Sequence, residues 1–90
     1  MEQKLFFTFP SYFYNMPKAW MLISVTPGSE GEVISKLLKI PQIKEAAVVY
    51  GEYDIIAKIE TKDLKELDDI VTKIRQESKD ILKTTTMISV

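Results

Sequence analysis

Gly51-Glu52 stands between two β-favouring runs, Ile43–Tyr50 and Tyr53–Glu60. A Gly-X pair joining two strand patterns predicts a tight type II′ hairpin, in which glycine takes the positive φ that other residues avoid. Such a hairpin is antiparallel, so the rest of the chain must be built around a central β-β unit. Upstream lies a strand pattern, Trp20–Thr26, then a Pro27-Gly28 break and an apolar helical stripe of Val33, Ile34, Leu37 and Leu38. Downstream lies a second helical stripe, Leu64, Leu67, Ile70, Val71 and Ile74, and then a β-favouring run, Ile81–Val90. The order is strand, helix, strand, strand, helix, strand.

The helix ends carry their own signals. Ser29 precedes Glu32 by three residues, and Asp63 precedes Glu66 by three. Both pairs fit a capping box, in which a short polar side chain and an acidic one satisfy the first free N–H groups of a helix. Pro41 closes the first helix, because proline removes a donor and clashes with the preceding turn. The second ends near Ser78. With right-handed crossovers, a βαββαβ order folds into an α+β, ferredoxin-like domain: a four-stranded antiparallel sheet with two helices on one face. The folded part is expected over residues 20–90, with 1–19 as an extension. That extension holds six aromatics, Phe6, Phe7, Phe9, Tyr12, Phe13 and Tyr14, with Pro10 and Pro17 and no helical period. It is too apolar for a solvated tail and is expected to pack on its own domain or on a neighbouring subunit. Met16 as an alternative start remains open.

Two helices can cover only one face of the sheet, so the other face of a monomer should be polar. The first strand disagrees: Trp20 and Leu22 alternate against Met21, Ile23 and Val25, so both faces are apolar. In the last, Ile88 and Val90 oppose Met87. A ninety-residue chain buries only about 60–65% of its unfolded surface and needs further support. No Cys is available for a disulfide, and with no His either the common soft metal sites are closed. Self-association through the open sheet face is the remedy left, and 46% hydrophobic residues suit it. A homodimer through the sheets is expected, with a ring of dimers as the larger assembly.

Composition also narrows function. Net charge is −1, and the one arginine, Arg75, sits in an alternating run of lysines and acids that reads as a solvated helix face. That balance argues against direct nucleic-acid binding, which needs a basic stripe. No apolar run approaches the ~20 residues of a membrane span, and Leu5–Phe9 stops at Pro10 without signal-peptide flanks. A cytoplasmic location is expected. Without His or Cys, neutral-pH acid–base and nucleophilic chemistry lose their commonest agents, so no catalytic residue, metal site or cofactor is assigned.

Three segments together carry a resemblance. They are Trp20-Met-Leu-Ile-Ser-Val-Thr-Pro-Gly28, Ile43-Lys-Glu-Ala-Ala-Val-Val-Tyr-Gly51-Glu-Tyr53-Asp54-Ile55, and Lys83-Thr-Thr-Thr86-Met-Ile-Ser-Val90. The chain resembles the effector-binding domain, also called RAM, of Lrp/AsnC transcriptional regulators. Gly51-x-Tyr53-Asp54 at the hairpin is the most specific element. The resemblance implies an oligomeric module that binds an amino acid or related small effector and modulates transcription or amino-acid metabolism. Family members carry a helix-turn-helix domain before this module. The first 19 residues do not read as one, which implies a stand-alone version that could act through a DNA-binding Lrp/AsnC relative. Lys79-Asp80 departs from the family pattern, which usually places glycine before the last strand.

The effector of the family sits near this hairpin, between dimers, which implies Gly51, Tyr53 and Asp54 as ligand residues, with Thr84 and Thr86 as hydroxyl partners. Asp54 has a physical argument of its own. It opens an apolar strand (Ile55, Ile56, Ala57), where an unpaired charge is costly, and its carboxylate suits an ammonium. The same residues also admit a structural reading: Gly51 turns, Tyr53 packs and Asp54 accepts backbone bonds. An adaptor subunit without ligand and a small ferredoxin-like enzyme therefore stay open.

Overall fold

The computed structural model describes residues 17–89. The elements are β1 (Lys18–Val25), α1 (Glu30–Leu37), β2 (Ile43–Val48), β3 (Ile55–Glu60), α2 (Leu64–Glu77) and β4 (Ile81–Ser89). They form a four-stranded sheet in the order β2-β3-β1-β4, with every neighbouring pair antiparallel. This is the expected βαββαβ arrangement. The aromatic run Phe6–Tyr14 and Val90 lie outside the described residues.

Alternation along the strands decides what each face holds. Ala19, Met21, Ile23 and Val25 of β1 and Ile55, Ala57 and Ile59 of β3 are buried beneath the helices. Val33 and Leu37 of α1 and Leu67, Ile70 and Ile74 of α2 close the core from above. Apart from the two alanines, each of these side chains contributes about 1.5–3 kcal/mol by leaving water. The opposite face carries Trp20 beside Lys58 and Met87, and Leu22 beside Ile56 and Thr85. Met87 is 50% exposed and Trp20 37%, so this face keeps apolar surface in water. Lys58 Nζ lies 5.5 Å from the centre of the Trp20 ring and 3.5 Å from Glu60 Oε2.

The two helix starts differ from each other. At α2, Asp63 accepts the Glu66 N–H (2.8 Å), while Glu66 accepts the Lys62 N–H (2.9 Å). The expected reciprocal cap forms, displaced by one residue on the return side. At α1 it does not. The Ser29 hydroxyl donates backwards to the Thr26 carbonyl (2.6 Å) and no side chain caps the helix. Gly28, at φ 89°, turns the chain so that Ser29 closes the β1–α1 turn rather than the helix.

Glu66 also accepts from Gln42 Nε2 (3.1 Å). The Lys62 N–H, then Gln42, hold its carboxyl below the ordinary 4.5. A carboxylate with a depressed folded pKa stabilises above its unfolded pKa and loses that contribution as pH falls through the folded value. Glu66→Gln should therefore lower stability at neutral pH, and the difference from the parent chain should shrink below about pH 4. Parallel thermal melts between pH 7 and pH 3 read this directly. A gap that persisted unchanged at pH 3 would remove the cap from the account.

Candidate functional site

Three connections meet at one end of the sheet. The β1–α1 turn reaches the α2–β4 turn through the Thr26 N–H, which donates to the Asp80 carbonyl (2.8 Å). The β2–β3 connection joins them through Asp54. Its N–H donates to the Ile23 carbonyl (2.9 Å), and its Oδ2 accepts the Val25 N–H (2.9 Å).

These bonds explain why the expected two-residue hairpin is not formed. β2 stops at Val48, β3 begins at Ile55, and the Val49 N–H donates to the Asp54 carbonyl (2.8 Å) across a longer loop. Asp54 is drawn towards β1. Its carbonyl still meets the β2 side through Val49, while the Tyr53 hydroxyl is bonded to that of Thr85 on β4 (2.7 Å). Gly51 does take a positive φ, 140°, at an exposed position where a side chain would meet open space but a strained backbone.

The five residues expected to hold an effector are thus divided. Gly51, Tyr53 and Asp54 lie together on the connection. Tyr53 reaches the open face, where Thr85 holds its hydroxyl and Lys83 Nζ stands 5.3 Å from its ring centre. Asp54 is half-buried, with one carboxylate oxygen bonded to β1. Thr84 and Thr86 pair with Ile23 and Met21, which are core residues, so they stand on the helix side of β4. There the Arg75 Nε–H donates to Thr84 Oγ1 (3.4 Å). The arrangement therefore brings in three residues that reading the sequence passed over: Thr85, Lys83 and Arg75. Thr85 had a visible signal, because a period of two places it with Met87 and away from Thr84 and Thr86. Among the described residues, no three acidic side chains gather as a metal site.

The residues from 18 to 90 match the family model of the Lrp/AsnC ligand binding domain. The chain belongs to this family. Among curated relatives, the HTH-type transcriptional regulator FL11 of Pyrococcus furiosus is 41% identical over 56 residues, 62% of this chain and 37% of that protein. The match thus spans little more than a third of FL11. Among solved structures, the hypothetical protein PHS023 from Pyrococcus horikoshii has a TM-score of 0.78 at 47% identity, covering 83% of this chain and 90% of that one. AsnC of E. coli gives the same TM-score of 0.78 at 18% identity, over 97% of this chain and 59% of its own, and shares the fold. FL11 is a transcriptional regulator by name, and the model that this chain matches describes a ligand-binding domain. No helix among the described residues is long and apolar enough to cross a membrane.

Proposed function

We propose that this Lrp/AsnC domain is a non-enzymatic sensor that binds an amino acid, or a small molecule like one, at the sheet end where Gly51, Tyr53 and Asp54 meet. One observation carries the reading. Asp54 is a half-buried carboxylate held by a backbone N–H at a fixed position, in a module whose family is defined by ligand binding. One of its oxygens accepts the Val25 N–H, and the other is the acceptor offered to a ligand ammonium. The exposed backbone around Gly51 offers N–H groups to a ligand carboxylate. Thr84 and Thr86 on the helix side of β4 supply hydroxyls to a molecule reaching that face, from this subunit or from a neighbour in a ring. Self-association through the open sheet face, with Trp20, Leu22, Ile56 and Met87 at its centre, places several copies of the site in one assembly. The output is a change in that assembly or in a DNA-binding Lrp/AsnC relative joined to it.

Thermal melts with each of the twenty amino acids identify the effector, since a ligand that binds only the folded state stabilises it by RT ln(1 + [L]/Kd). Asp54→Asn should then weaken the tightest ligand by about ten- to a hundred-fold, the worth of one charge-assisted bond at a half-buried group. Asparagine keeps an oxygen for the Val25 N–H, so the fold should survive. Calorimetric titration of both proteins gives the answer, and equal affinities would leave Asp54 a purely structural residue.

A further inference from the structure

The outer edge of β4 carries a second feature, which shares only Thr84 with the proposed effector site. A cleft of about 350 Å³ opens there between the last turn of α2 and the start of β4, lined by Arg75, Ile81, Leu82, Lys83 and Thr84. We propose that this cleft binds the anionic end of a small aliphatic carboxylate, with the Arg75 guanidinium as its principal ligand.

The polar residues of the lining are an arginine, a lysine and a threonine, and the Arg75 guanidinium and Thr84 hydroxyl meet there on the helix side. No carboxylate takes part, although the chain has thirteen acidic residues against twelve basic ones. The ion pairs among the described residues engage Lys36, Lys58 and Lys65, and neither Arg75 nor Lys83. A cation in the last turn of a helix is ordinarily explained by the helix dipole. That explanation does not require the side chain to turn across to β4, as Arg75 does when its Nε–H donates to Thr84 Oγ1. One of five guanidinium donors is used in that bond, and the planar fork that remains matches a carboxylate. Thr84, having accepted from Arg75, keeps its hydroxyl proton for an acceptor on the ligand. Lys83, whose ammonium stands over Tyr53 on the other face of β4, adds positive charge to the same strand end.

The backbone adds a second, independent observation. The β1–β4 register shifts between Ser24 and Val25, which pair with Lys83 and Ile81, so Leu82 is left as the extra residue of a bulge. A bulge re-aims side chains and leaves backbone groups out of the ladder. Here it lies in the cleft wall and holds the Leu82 side chain 65% exposed. With Ile81 beside it, Leu82 gives the cleft an apolar side, which selects an aliphatic chain behind the charged group. The ligand class is thus an acid with a short branched or straight hydrocarbon body.

Arg75 is the only arginine, so its Nε–H gives a single resonance in a ¹⁵N spectrum of the full chain. Titration with 4-methylpentanoate should shift that resonance and the Leu82 and Thr84 amides along one saturable curve. Neutral 4-methylpentanamide, and sodium chloride at matched ionic strength, should not. Arg75→Lys keeps the charge and the dipole interaction but loses the fork, and should weaken binding about tenfold. Arg75→Gln should abolish it, while Lys39→Gln, which removes a charge elsewhere, should leave it unchanged. The proposal is overturned by a curve that does not saturate, by an equal response to the amide or to chloride, or by binding that survives Arg75→Gln. If no amino acid stabilises the protein yet the Arg75 shift is retained, the Asp54 reading falls and this one stands.

Discussion

Leu22→Lys should leave the protein folded but give monomers of 10.3 kDa in light scattering at micromolar concentration, where the parent chain should scatter as a dimer or larger. Leu22 occupies the middle row of the open face, with Ile56 on one side and Thr85 on the other. It does not touch the core, whose β1 members are Ala19, Met21, Ile23 and Val25. In a twofold interface each substitution enters twice, and each buried ammonium costs roughly several kcal/mol when unpaired. Lys58 on the neighbouring strand, already engaged by Glu60, adds repulsion rather than a partner. Far-UV circular dichroism should be unchanged. A parent chain that itself scatters as a monomer would end the sheet-to-sheet assembly, and with it the account of why Trp20 and Met87 are left in water.

Ile74→Ala should have the largest effect on stability of any single truncation in α2. Ile74 is fully buried, and its methyl groups fill space that the surrounding strands cannot collapse into. Truncations of this kind cost about 2–5 kcal/mol. A domain of this size has roughly 5–13 kcal/mol in total, so from about a sixth to most of the stability is at stake. The thermal midpoint should fall by about 8–30 °C, read at fixed protein concentration because self-association also stabilises the folded state. Leu64→Ala is the contrast. Leu64 is the first residue of the same helix and is 63% exposed, and its truncation should change stability by less than about 0.5 kcal/mol. Similar losses at both positions would mean that Leu64 is covered in the assembly.

Much of the architecture was legible because it depends on local rules. The stripe Leu67, Ile70, Ile74 has the helical period, and the alternation of Ala19, Met21, Ile23 and Val25 has the strand period. Each can be read without knowing its neighbours. The Asp63 cap was equally legible, since both partners lie within four residues of each other. The apolar second face followed from Trp20 and Leu22, because parity within a strand is independent of what packs on it.

The site was less legible, for a reason its bonds make plain. Ser29 resembles a helix cap in sequence, but the turn set by Gly28 gives its hydroxyl a nearer carbonyl, that of Thr26. The Gly51-Glu52 hairpin resembles a two-residue turn, but Asp54 is bonded to β1, 29 residues earlier in the chain, and Tyr53 to β4, 32 residues later. Arg75 looks like one charge among many on a solvated helix until β4 brings Thr84 beside it. The sequence alone determined the elements, their order and most of the core-facing side chains, though Leu38 and Leu64 of the two helical stripes are exposed. The tertiary structure decided how the β2–β3 connection opens, which threonine meets Tyr53, and where Arg75 points. Those outcomes turn on hydrogen bonds between residues far apart in the chain, and a polar side chain takes whichever partner the fold carries within about 3 Å of it.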